Sequence, residues 1–145
     1  MAKKQKRSQQ SFNLERGNQP TAVPSPSTRT INKVAFYFGD THKKYSIDST
    51  KDKTQKARLA DVIHLCSQLT REELQQRDRH SNGAPEKIPV TSLTITSLPR
   101  IITPDVQNVY SMRFTNNHRL IGIFRENLFV VLFVDYKLKL YNHGS

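Results

Sequence analysis

Two periods run through the chain and separate its strands from its helices. "KVAFYF", Lys33 to Phe38, sets Val34, Phe36 and Phe38 on one face and Ala35 and Tyr37 on the other, as in a strand with a buried side. "GDTHKK" breaks this alternation, and Tyr45 to Ile47 is expected to return as a short second strand. The period then changes. In "STKDKTQKARLADVIHLCSQL", Leu59, Val62, Ile63, Cys66 and Leu69 recur at spacings of three and four, one apolar stripe along a helix. Ser49 or Thr50 caps that helix in this reading, with Asp52 near its positive end, and His64 falls off the stripe as a solvated residue. Thr70 and Glu73 have capping-box spacing, so the first helix ends near Leu69 and a second runs from there to about Arg79. "HSNGAPEKIP" reads as a loop, with Asn82-Gly83, Pro85 and Pro89 as its breakers. Val90 to Leu98, "VTSLTITSL", alternates as a strand or extended edge segment, and "PRIITPDVQN" connects it onward.

The remainder alternates more clearly. "VYSMRFT" puts Tyr110, Met112 and Phe114 opposite Val109, Ser111, Arg113 and Thr115, and "HRLIGIFR" puts Leu120, Gly122 and Phe124 opposite Arg119, Ile121 and Ile123. "NLFVVLFVD" is apolar almost throughout, the mark of a strand covered on both faces. Asn116-Asn117 and Glu126-Asn127 suit hairpin turns between the three, and "KLKLY" extends the sheet or forms its edge. The order predicts an α+β domain: an N-terminal strand, a helical hairpin, then a C-terminal antiparallel β-meander.

Composition changes the picture at the N-terminus. Residues 1–30 have few large apolar side chains and many Lys, Gln, Ser and Pro, so a disordered basic tail is expected there, with residues 31–145 as the folded domain. The formal net charge of +11 divides into +6 through Lys33 and +5 from Val34 onward. Tail and domain are both basic, which suits a polyanionic partner, nucleic acid first, or serves solubility alone. The tail's "KKQKR" adds nonspecific RNA affinity or is a solvated leader. A single cysteine, Cys66, excludes an internal disulfide, and its place on the apolar stripe marks a buried structural thiol. No apolar run approaches the roughly 20 residues that span a bilayer, and the N-terminus lacks a secretory apolar core. A cytoplasmic protein without a membrane partner is the expectation.

Candidate chemistry lies at the hairpin. Arg113 and Arg119 fall on adjacent strands, each opposite in parity to its strand's bulky residues, so both point to one face. Adjacent guanidiniums repel unless an anion lies between them, and their donors match phosphate oxygens. An RNA phosphodiester answers that need, and so does a carboxylate from Asp135 or Glu126. Arg79 and His80 in "RDRH" either join such a site or complement a helix end. His118 is expected in the turn, solvent-exposed and directed away from Arg119.

"SMRFTNNHRLIG", Ser111 to Gly122, resembles the strand–turn–strand block of RelE/YoeB-type toxins of bacterial toxin–antitoxin pairs. "NGAPEKIP" is similar to the Pro-Glu loop that carries a catalytic glutamate in the YoeB-like branch. The resemblance implies a RelE-like fold and a metal-independent endoribonuclease that cleaves mRNA, free or on the ribosome, and is held by a cognate antitoxin. It implies Glu86 as general base on the 2′-hydroxyl, Arg119 on the scissile phosphate with Arg113 assisting, Tyr136 stacking on a base and Lys137 protonating the leaving group. No metal or small-molecule cofactor is required. The chain departs from that branch in two ways. Asp135, Tyr136 and Lys137 stand where a His-Tyr pair is usual, and "TSLTITSLPRIITPD" is inserted between the Glu86 loop and the meander. The alternative is a noncatalytic nucleic-acid- or protein-binding module with the same basic sheet.

Overall fold

The computed structural model describes residues 31–95 and 97–141, and the expected tail lies outside them. Five strands form one mixed sheet: β1 (Ala35–Tyr37), β2 (Pro85–Pro89), β3 (Asn108–Thr115), β4 (His118–Arg125) and β5 (Leu128–Asp135). Their order across the sheet is β1-β5-β4-β3-β2. The last three strands form the expected meander, turned at residues 116–117 and 126–127, and β2 adds antiparallel to β3. β1 alone is parallel, seated against β5.

Two helices cover one face. α1 (Lys53–Ser67) is capped by Asp52, whose carboxylate accepts from the backbone N–H groups of Thr54 and Gln55. Thr50, one of the two expected caps, instead donates its hydroxyl to Gln55 and accepts from the Asp52 N–H. α2 (Arg71–Gln75) opens with the full Thr70–Glu73 capping box and is shorter than expected, since it ends four residues before Arg79. The apolar stripe lands as predicted. Leu59, Val62, Cys66 and Leu74 pack on Met112, Phe114, Leu120, Phe129 and Val134. Burial pushes the Cys66 thiol up to about 11, so it stays a protonated core group at neutral pH.

The other face is covered by irregular chain, which corrects the expected strand at Val90–Leu98. The strand lies one block earlier, at Pro85–Pro89, where a loop was expected. Proline lacks a donor, yet β2 is a sheet edge that pairs only with β3, so its two prolines are tolerated. Val90–Ser92 is a 3-10 turn, and Leu93 makes a single bridge to Tyr141. The apolar residues of that segment and of the connector after it serve packing instead: Leu93, Ile95, Ile101, Ile102 and Val106 lie against Val109, Ile121, Ile123 and Leu132. Tyr45 to Ile47 is likewise no strand but lies in two 3-10 turns, Lys43–Tyr45 and Ile47–Ser49, with the Tyr45 ring edge-on to Phe133. "KLKLY" is an irregular turn rather than a strand, with Leu138 in the left-handed region at φ 58°.

Candidate functional site

The connector leaves one end of its face polar, and the register of β2 to β5 decides what gathers there. Glu86 stands opposite Ser111, and Arg113 opposite Arg119, which is in turn opposite Asp135. Glu86 shares parity with buried Ile88, and Ser111 with buried Val109, so Glu86, Ser111, Arg113 and Arg119 share the connector's face. The expected pairing of the two arginines is therefore present.

Their environments differ. Arg113 is half-buried, whereas Arg119 is only 7% exposed. Nη1 of Arg119 donates to the carbonyls of Thr115, Asn116 and His118 at 2.9, 3.2 and 3.0 Å, tying the guanidinium to the hairpin turn. Burial first, and then the neighbouring Arg113 charge, lowers its pKa, while Tyr141 and Glu86 oppose that shift. The guanidinium also hydrogen-bonds the Tyr141 phenol, and that phenol donates to Ser111 Oγ at 2.7 Å. Burial raises the Tyr141 pKa, so the phenol is protonated at neutral pH.

Neither expected counter-ion reaches the arginines. Asp135 faces Arg119 across the strands, but its fully buried carboxylate accepts from the backbone N–H groups of Lys137 at 3.1 Å and Leu140 at 3.0 Å. Glu126 sits in the β4–β5 turn, where its carbonyl accepts from Arg71. Glu86 does act on Arg119, its charge opposing the lowering by burial and by Arg113.

The expected convergence of five side chains on one face is corrected by the strand parity. Tyr136 follows Asp135 and points to the helical face, where its ring is 8% exposed, edge-on to Phe114, and its hydroxyl donates to the Ile47 carbonyl at 3.0 Å. It is a core residue and offers no ring to a base. Lys137 is exposed in the turn after β5. Arg79 is exposed and pairs with Glu86 at 3.4 Å, which places it at the site, while exposed His80 is held by its backbone N–H, which donates to the Asp78 carboxylate. His118 does point away from Arg119 but is not solvated. It stacks on Phe114 with ring centroids 5.5 Å apart, bonds Thr115 Oγ1, and approaches Gln55 at 3.2 Å. Burial there lowers its pKa.

Tyr141 and Ser111 are the members that sequence reasoning missed. Ser111 was visible as a small polar residue among bulky ones, whereas nothing in "KLKLY" signals that Tyr141 folds back to Arg119. Among the described residues no cluster of three or more His, Cys, Asp or Glu could hold a metal, and no helix is long and apolar enough to cross a membrane. Compared with protein-family models, with curated proteins and with solved structures, the chain finds no match in any of the three.

Proposed function

We propose that this domain is a RelE-like, metal-independent endoribonuclease acting on mRNA, and that it serves as the toxin of a cytoplasmic toxin–antitoxin pair. The observation that carries this reading is the direct cross-strand pairing of Arg113 and Arg119 on the same face as Glu86. Arg113, the more open guanidinium, receives the scissile phosphate, and Arg119 is held behind it by three carbonyls as a fixed positive charge. Glu86 takes the proton of the 2′-hydroxyl, the 2′-oxygen bonds to phosphorus, and the bond to the 5′-oxygen breaks. The leaving 5′-oxygen receives its proton from Tyr141, whose phenol is kept protonated beside Arg119, rather than from Lys137.

A second reading, a noncatalytic RNA- or protein-binding module, is favoured by the Arg79–Glu86 ion pair, which occupies the carboxylate, and by the buried Tyr136 ring. Induced expression of wild type, Glu86→Gln and Arg113→Ala separates the two, with growth and RNA integrity followed together. Growth arrest with RNA ends bearing 2′,3′-cyclic phosphate in the wild type alone supports the nuclease. Unchanged RNA in every strain, or cleavage that survives both substitutions in folded protein, refutes it.

A further inference from the structure

At the end of β5, next to the arginine row, lies a cavity of about 260 Å³ lined by Lys44, Tyr45, Ser49, Tyr136, Lys137 and Lys139 together with Val134 and Asp135. That is below the usual size of a drug-like pocket and suits one small oxyanion with water. Three lysines from two distant segments meet there: Lys44 from the turns after β1, and Lys137 and Lys139 from the turn after β5. Among the described residues, none of the three ammonium groups has a carboxylate within salt-bridge range. The acid in the cavity wall, Asp135, is occupied by two backbone N–H groups. The positive charge is therefore left for an external anion.

Position identifies the anion. Arg113, Arg119 and Asp135 form one row across β3, β4 and β5, so the row spans two strand spacings, roughly 10 Å, and ends at the cavity wall. A short stretch of single-stranded backbone covers that reach. We infer that the lysine cavity seats a second phosphate of the RNA strand whose scissile phosphate lies at Arg113. The inference rests on the RNA reading above and extends it into a binding track that runs from β3 past the end of β5.

The test is equilibrium binding of a fluorescently labelled single-stranded RNA oligonucleotide, measured by anisotropy across a salt series. Glu86→Gln serves as the parent so that RNA stays intact. The pair Lys44→Ala and Lys139→Ala removes two charges from the cavity. The pair Lys43→Ala and Lys51→Ala removes the same charge from exposed lysines that do not line it. A phosphate seated in the cavity predicts a severalfold loss of affinity and a salt slope lower by about 1 for the cavity pair only. Lysine-to-arginine replacements at 44 and 139 should restore binding. Equal losses for both pairs overturn the inference, because general charge then explains them. If Arg113→Ala weakens binding and the cavity pair does not, the inference fails while the RNA reading stands. A parent that binds no RNA removes the RNA reading itself, and the inference with it.

Discussion

Asp135 is the residue whose removal tests the architecture of this site most directly. Its carboxylate is fully buried and holds the turn after β5 by two backbone hydrogen bonds, to Lys137 and Leu140. Between those two positions Leu138 adopts φ 58°, a conformation that costs a residue with a side chain about 1–2 kcal/mol. In Asp135→Ala the buried Leu140 N–H is left without its acceptor, at about 1–3 kcal/mol, while the less buried Lys137 N–H regains water. The Leu138 conformation then has less to hold it. The lost Leu140 acceptor sets a destabilisation of about 1–3 kcal/mol, and at roughly 4 °C per kcal/mol for a domain of this size the melting temperature should fall by about 8 °C. Asp135→Asn keeps one acceptor oxygen and should lose less than half as much. The assay is thermal denaturation followed by circular dichroism on the full chain. Because the same turn delivers Tyr141 to Arg119 and Ser111, tyrosine absorbance should also report a more solvated phenol. An Asp135→Ala protein that melts within about 2 °C of wild type would refute the reasoning, since the carboxylate would then not be the turn's main support.

Two further outcomes are expected. A methyl group on Gly122 would run into the Val130 carbonyl and lie 3.0 Å from the Phe129 ring, at the bulge between β4 and β5, so Gly122→Ala should cost about 3 kcal/mol or more in chemical denaturation; an unchanged midpoint would show that the bulge can shift freely. Burial raises Tyr136 from its ordinary value to about 12, and this native state prefers the protonated phenol, so its contribution to stability is complete below about pH 10 and declines as pH climbs towards 12. Ultraviolet titration should show that last ionisation disappear in Tyr136→Phe, and a tyrosine titration unchanged by the substitution would contradict its buried place.

The meander, the apolar helix stripe and the capping box were legible because each is a local signal: a two-residue period, a three-to-four period, and a fixed spacing of Thr70 and Glu73. β2 was hidden because an edge strand is defined by one neighbour and tolerates proline, so Pro85–Pro89 carries loop residues while pairing along its whole length. Val90 to Leu98 misled in the opposite sense, since alternating apolar residues also suit a connector laid over a sheet. In the site, the arginine pair followed from the short hairpin, which fixes the register of β3 and β4. The position of Tyr136 depended on the register of β4 against β5, where a bulge between Ile121 and Gly122 intervenes. Tyr141 was out of reach because a left-handed residue and a side-chain-held turn separate it from β5, and no period carries through such a turn.

The one parallel pairing in the sheet has a consequence for assembly in time. β1 belongs beside β5, with Ala35 against Leu128, so among the described residues the earliest strand waits for the latest. The helical hairpin and the β3–β5 meander can form from neighbours in sequence, but β1 closes the longest loop in the domain and has no strand to pair with until β5 exists. A ribosome making this chain thus holds β1 without its strand partner until β5 has emerged, and a product that stops before residue 128 never pairs it.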